Sequence, residues 1–199
     1  MISVLILAGG KSSRMGFDKA LIEIEGEYLL SKTYHIAREL SNEVFILTSP
    51  EHQYQSFLPN DTQFIIEPHP YQGPLVAFAH GLSFIHSPWV LLLPCDLIYL
   101  QTQEIKSWLK LLPSVSEETI ALLPTHKKGW ECLSGFYRRD CLSSLQKSLN
   151  GGNKSFQRWL KGEKVTPLMV QDRRVLYNCN TPEDLAKWTE YSSFGDNLS

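Results

Sequence analysis

Ile2, Val4, Leu5, Ile6 and Leu7 make a nearly unbroken apolar run that stops at Ala8-Gly9-Gly10, the pattern of a buried strand running into a loop. Residues 21–24 followed by Glu25-Gly26-Glu27 predict a short extended piece and a turn. Leu30, Tyr34, Ala37 and Leu40 then recur at helical spacing. Two further apolar runs, residues 44–47 and 64–66, read as strands; Ser49-Pro50 and Glu67-Pro68 close them, because the residue before a proline leaves helical space. After Gly73-Pro74, residues Leu75, Phe78, Ala79, Leu82 and Ile85 share one helical face. The run 89–93 is apolar throughout, which predicts a strand buried on both faces of a parallel sheet, and Pro94-Cys95-Asp96 follows at once.

Ile105, Trp108, Leu109 and Leu112 predict another helix, and residues 120–123 another strand. Beyond residue 124 the pattern loosens. Lys127-Lys128-Gly129 reads as a turn and residues 133–137 as an antiparallel strand. Residues 142–149 fit a helix stopped by Asn150-Gly151-Gly152-Asn153, and Phe156, Trp159 and Leu160 a short one. Residues 165–170 and 175–177 read as strands. Thr181-Pro182-Glu183-Asp184 is the signature of a capped helix start, with Leu185 and Trp188 on its buried face and a polar tail from residue 192. Strands alternating with amphipathic helices predict an α/β fold: three α/β/α layers about a mostly parallel sheet with a Rossmann-like N-terminal half. Such sheets bind ligands beyond the carboxyl ends of their strands. The glycine loop, Thr48-Ser49, Glu67 and Asp96 therefore converge on one edge.

With 199 residues the chain can bury one sizeable core, and 43% hydrophobic and 20% charged residues are ordinary globular values. A net charge of −2 argues against a broad nucleic-acid-binding surface, so any cationic site is local. Cys95, Cys132, Cys141 and Cys179 have no C-x-x-C spacing; they read as reduced core thiols rather than zinc ligands or nucleophiles. The first apolar run has no basic leader and is cut by Gly-Gly-Lys, the pattern of neither a signal peptide nor a membrane span, and a cytoplasmic location is expected. The six histidines are scattered without metal-ligand spacing.

The local cationic site lies in the first loop. Small residues at a strand exit let the backbone approach a ligand and expose N–H groups to anionic oxygens, and Lys11, Arg14 and Lys19 add three cations within nine residues. A polyphosphate fits this arrangement. It is not a P-loop, since five residues separate Gly10 from Gly16 and no Gly-Lys-Ser/Thr follows, and G-x-G-x-x-G is absent. Asp18 can orient Lys19 or cap a turn. Asp96, directly after the apolar strand, suits either a hard cation or a cap.

The string L-A-G-G-x-x-x-R-M-G-x-D-K over residues 7–19, with Pro94-Cys95-Asp96 and Asn178-x-Asn180-Thr181-Pro182, resembles the molybdenum cofactor guanylyltransferases, nucleotidyltransferases with a glycosyltransferase-A-like fold. The resemblance runs from residue 1 to about residue 190. It implies transfer of GMP from GTP to the molybdenum-molybdopterin cofactor with release of pyrophosphate, Mg²⁺ as cofactor, and a monomer to which other cofactor-assembly proteins dock. Arg14, Lys19 and Asp96 are then catalytic, with Asp96 on the metal. Leu7, Ala8, Gly9, Gly10, Lys19, Thr48, Glu67 and Asp96 bind the nucleotide; Asn178 and Asn180, which local signals alone assign equally to a helix cap, bind the acceptor. A single domain over residues 1–191 is implied, nucleotide-binding mainly within 1–100 and acceptor-binding mainly within 101–191, with 192–199 as tail.

The sequence departs from the family pattern where Thr48 replaces the usual Asn, where Glu67-Pro68 stands at the usual Asp, and where Gly73-Pro74-Leu75-Val76-Ala77 lacks the last glycine of G-P-L-A-G. Trp130-Glu131-Cys132 stands where the family often carries His-Pro. These positions bear on base and acceptor choice. They leave open a cytidylyltransferase for the same cofactor or a sugar- or polyol-phosphate nucleotidyltransferase; a non-catalytic nucleotide-binding protein is the reading from another class.

Overall fold

The structure is a computed structural model that describes residues 1–9, 18–127, 129–181 and 184. In chain order, β1 (Ile2–Leu7) leads to a small hairpin of β2 (Glu23–Ile24) and β3 (Glu27–Tyr28), then α1 (Leu29–Arg38), β4 (Val44–Thr48), β5 (Gln63–Ile66) and α2 (Pro74–Leu82). There follow β6 (Trp89–Pro94), α3 (Thr102–Leu109), β7 (Ala121–His126), β8 (Gly129–Trp130) and β9 (Gly135–Arg138). The last elements are α4 (Leu142–Asn150), α5 (Phe156–Leu160) and β10 (Val165–Leu168).

Among the described residues eight strands form one sheet in the order β10-β7-β9-β6-β1-β4-β5, with β8 paired to β7. β1 pairs in parallel with both β4 and β6, placing Leu7 opposite Leu47 on one side and Pro94 on the other. β9 is antiparallel to β6 and β7, as the looser second half of the sequence predicts. The chain runs outward from β1 through β4 to β5, then crosses back to β6 on β1's far side. Such a reversal of strand order opens a crevice at the carboxyl ends of the central strands.

Strand alternation divides the core cleanly. Val4 and Ile6 of β1, Ile46 of β4 and Leu91 and Leu93 of β6 face α1 and α3. Leu5, Leu7, Leu47, Val90 and Leu92 face α2, α4 and α5. All ten are at most 9% exposed, so β1, β4 and β6 are buried on both faces, the environment their continuous apolar sequence predicts. Each such aliphatic side chain contributes about 1.5–3 kcal/mol on burial. Gly81 lets α2 close onto β1, since a Cβ there would stand 2.7 Å from Leu5 Cδ2. All four cysteines are buried free thiols, as expected.

One element differs from its sequence pattern. Residues 175–177 do not form a strand: Arg173–Leu176 is a 3₁₀ turn, and a lone antiparallel bridge joins Asn178 to Leu97. The Asp172 carboxylate accepts from Arg174 N at 3.0 Å and starts the turn, a local side-chain bond that outcompetes the extended form. Residues 165–170 pair with β7 only as far as Leu168. No described helix is long and apolar enough to cross a membrane.

Candidate nucleotidyl-transfer site

A cleft of about 550 Å³ opens at the carboxyl ends of β1, β4 and β6. Gly9, Glu67, Lys19, Asp96, Asn178 and Asn180 all line it, so Gly9, Glu67 and Asp96, of the strand-end residues singled out in the sequence, do converge there, while Thr48 and Ser49 stay behind it. Backbone bonds set the convergence: Ala8 N donates to Leu47 O at 2.8 Å, Glu67 N to Thr48 O at 2.8 Å and Cys95 N to Leu7 O at 3.1 Å. These bonds carry the parallel pairing one residue past the strands and fix Gly9, Glu67 and Asp96 at the rim.

Lys19 is the hub. Its Nζ lies 3.1 Å from Asp96 Oδ2 and also donates to Asn180 Oδ1. Asp96 joins this group from the other side, because its backbone O accepts from Cys179 N at 2.8 Å. Burial pushes the Asp96 carboxyl above the ordinary carboxylate range, while Lys19 pulls it partly back. One ammonium thus leaves the carboxylate under-compensated, and a further cation would be held favourably.

The 178–181 segment is set by a reciprocal cap. Asp184 Oδ2 accepts from Thr181 N and from Asn180 N, each at 3.0 Å, and Asp184 N donates to Thr181 Oγ1 at 3.2 Å. Tyr177 OH donates to Asp184 Oδ1 at 2.7 Å, and these bonds together hold the Asp184 carboxyl low. The cap is therefore present, and it serves to aim Asn180. Asn178 Oδ1 is buried at the cleft and has no hydrogen-bond partner among the described residues.

Not every nucleotide-binding candidate points into the cleft. Thr48 is fully buried and its hydroxyl donates to Ala8 O at 3.1 Å, so its side chain braces the loop from behind and does not line the cleft. Ala8 is 3% exposed and does not line the cleft, whereas Leu7 does. Glu67 is 5% exposed, and burial raises its pKa. A Cβ on Gly9 would stand 3.6 Å from Glu67 Oε2 and from Ser49 N, which places that carboxylate over the loop's entry. Gly10, Lys11 and Arg14 lie outside the described residues, as does the helix expected from Pro182 onward.

Three residues that the sequence did not single out complete the site. Tyr54 OH donates to Asp18 Oδ2 at 2.6 Å and stands 3.2 Å from Ala8 O, while His52, stacked on the Tyr54 ring, contacts Asp18 Oδ2 through Nδ1 at 2.9 Å. Asp18 Oδ1 accepts from Ala20 N at 3.0 Å and caps the 3₁₀ turn Lys19–Leu21. Tyr71 lines the cleft from the segment between β5 and α2.

A family model described as "MobA-like NTP transferase domain" matches residues 4–166. The chain belongs to this family of NTP transferases. Among curated relatives, one from Nostoc sp. strain PCC 7120, called a probable molybdenum cofactor guanylyltransferase, is 48% identical over 93% of this chain and 89% of its own length. A relative of the same description from Synechococcus elongatus is 41% identical over 92% and 95%. Solved structures repeat the fold. Molybdopterin-guanine dinucleotide biosynthesis protein A from Archaeoglobus fulgidus superposes with a TM-score of 0.75 at 20% identity, covering 97% of this chain and 99% of its own. A nucleotidyl transferase from Methanothermobacter thermautotroptrophicus gives 0.77 at 14% identity, covering 96% and 97%. This NTP transferase is thus a nucleotidyltransferase of the nucleotide-sugar transferase fold, with the mostly parallel α/β sheet that the strand pattern predicts.

Proposed function

We propose that the protein transfers GMP from GTP to the molybdenum-loaded molybdopterin cofactor and releases pyrophosphate. The observation that carries this reading is the bonding of Lys19, which joins the strand-end carboxylate Asp96 to Asn180 on the segment assigned to the acceptor. It is supported by relatives that are 41–48% identical over more than nine-tenths of the chain and bear the guanylyltransferase name.

In the reaction a phosphate oxygen of the acceptor bonds to the α-phosphorus of GTP. The bond from that phosphorus to the α–β bridging oxygen breaks, and pyrophosphate leaves with its electron pair. The acceptor phosphate is ionised at neutral pH, so no protein base or nucleophile is required. The protein's task is position and charge. Lys19 Nζ neutralises charge moving to the leaving group, and Arg14 is assigned the same role from its place in the sequence. Leu7, Ala8 and Gly9, with Gly10, offer backbone to the nucleotide.

Asp96 fits a magnesium ion: it is a hard oxygen donor, mostly shielded from water and under-compensated by Lys19, and Mg²⁺ is satisfied by one carboxylate with phosphate and water oxygens completing its shell. Bound there, the ion would add positive charge beside the triphosphate. Glu67 suits guanine, whose N1–H and N2 amino group form a pair of donors that one carboxylate can accept. Adenine and cytosine lack that pair. Asn178 and Asn180 offer amides to the pterin or its phosphate.

The test supplies purified protein, Mg²⁺ and molybdenum-loaded molybdopterin with GTP, CTP or ATP in separate reactions. A guanylated pterin and pyrophosphate from GTP alone are expected. Turnover with CTP would move the protein to the cytidylyl branch. Tight GTP binding without turnover, restored by a sugar or polyol phosphate, would reject the acceptor.

A further inference from the structure

Two described non-glycine residues have positive φ, Glu25 at 55° and Tyr71 at 67°. Glu25 is explained by its place: with Gly26, also at positive φ, it forms the two-residue turn between β2 and β3, where this conformation matches strand twist. Tyr71 has no hairpin to serve. It lies in the crossover from β5 to α2, where a bulky side chain in the left-handed region is unfavourable. Backbone outliers that surrounding structure enforces gather at functional sites.

The enforcement is visible. Pro68, Pro70 and Pro74 stiffen the segment, and Tyr71 OH donates to the Glu51 carboxylate in the segment after β4. Tyr71 so held is 42% exposed and lines the cleft. Leu47, Glu67, Gly73, Pro74 and Ala77, from β4, the end of β5 and the start of α2, line the same cleft. This flank is a mainly apolar slot with one carboxylate, on the β4–β5 side of β1; Lys19 and the two asparagines occupy the other flank, beside Asp96 at the end of β6. Triphosphate and metal belong over the charged flank. An apolar slot with a flat aromatic wall and a single acceptor group suits a heteroaromatic base that presents donors.

We infer that Tyr71 is a specificity-determining residue of this transferase, its ring the stacking wall of the nucleobase subsite whose edge is read by Glu67. The inference rests on the guanylyl-transfer reading and adds a residue to it. A stacked ring holds the base equally in the ground state and the transition state, so its loss raises KM for GTP and leaves kcat in place.

The experiment compares wild type with Tyr71→Phe, Tyr71→Ala and Tyr71→Gly. Mg-GTP and inorganic triphosphate are titrated into each, with thermal unfolding and steady-state kinetics alongside. The Ala and Gly variants bind GTP about 5- to 100-fold more weakly, with KM raised in proportion and kcat kept. The Phe variant binds as wild type. Triphosphate, which has no base, binds all four alike. Gly at this φ is unstrained, so Tyr71→Gly melts above Tyr71→Ala while binding GTP no better.

Unchanged GTP affinity in Ala and Gly overturns the inference. So does parallel weakening of triphosphate, or recovery of GTP binding in Gly over Ala, which would make the effect one of backbone. If wild type prefers another nucleoside triphosphate, the guanylyl reading fails on its own, and the same four proteins test the ring on that nucleotide.

Discussion

Lys19 Nζ stands 3.1 Å from Asp96 Oδ2 although the residues are 77 positions apart in the chain. The contact exists because the Asp18 cap and the β1–β6 pairing bring the turn after the first loop to the end of the sixth strand. The pair is mostly shielded from water, with side-chain exposures of 21% and 15%. Replacing Asp96 with Asn keeps a hydrogen-bond acceptor for Lys19 and removes the charge. Turnover is expected to fall by about a hundredfold or more, the scale of losing one preorganised electrostatic contact. Titrating Mg²⁺ in the assay checks this: the residual activity of Asp96→Asn should need more metal than wild type. An unchanged metal requirement would take the metal away from Asp96.

Tyr54 ties together the two described ends of the first loop, since one hydroxyl reaches both Ala8 O and Asp18 Oδ2. Its ring is 2% exposed, and burial followed by the Asp18 contacts drives the phenol far above its ordinary pKa, so it stays a neutral donor. Tyr54→Phe leaves Ala8 O with Thr48 and Asp18 with His52. The stability loss should therefore be near the ordinary hydrogen-bond value, about 1 kcal/mol. Asp18→Ala is expected to cost about 1–3 kcal/mol, because the turn loses its cap and the buried Tyr54 hydroxyl loses its best acceptor. Denaturant unfolding of both variants checks the order, and KM for GTP should rise more in Asp18→Ala because Lys19 is displaced.

The sheet was legible because its central strands obey one physical rule: a strand covered on both faces is apolar almost throughout, as residues 2–7, Ser3 apart, and 89–93 are. The placement of Gly9 and Asp96 at the cleft was legible for a related reason, as abrupt small or polar residues after such runs. Tyr54, His52 and Tyr71 were not. Their roles depend on what a side chain meets more than 30 residues away or on an enforced φ, and neither leaves a periodic trace. The 3₁₀ turn at Arg173–Leu176 was misread because Val175-Leu176-Tyr177 has strand-forming residues, whereas Asp172 decides the conformation from outside the run.

Glu67 gives the site a pH dependence of known sign. Burial raises its pKa above the ordinary value of 4.5, so the folded protein takes up this proton more readily than the unfolded chain. The group's contribution to stability accordingly falls as pH rises from 4.5 through the raised value, the cost of ionising a buried carboxylate. On the proposed reading GTP binding runs the other way, since the ionised form would accept from guanine. KM for GTP is expected to climb as pH drops into that window. Glu67→Gln should be the more stable protein at neutral pH, and it should lose both the pH dependence and part of the preference for GTP over ATP. Melting curves and KM measured across acidic and neutral pH would separate the two effects.

Asp184 offers a test of the acceptor reading of Asn180 that leaves the proposed base subsite alone. Its carboxylate holds Asn180 N, Thr181 N and Tyr177 OH, with the Tyr177 bond the largest cause of its lowered pKa. That stability is present above the ordinary value of 3.8 and is lost as pH falls through it to the depressed one. Asp184→Ala removes the cap at a cost of about 0.5–2 kcal/mol. Asn180 then loses the backbone bond that aims its side chain at the cleft, whereas Gly9, Glu67 and Tyr71 keep all their contacts. KM for the molybdopterin acceptor should therefore rise several-fold with little change in KM for GTP. Asp184→Asn, which can accept from only one side of its amide, should fall between Ala and wild type. Equal rises in both KM values would mean that the 178–181 segment serves the nucleotide through Lys19 and not the acceptor.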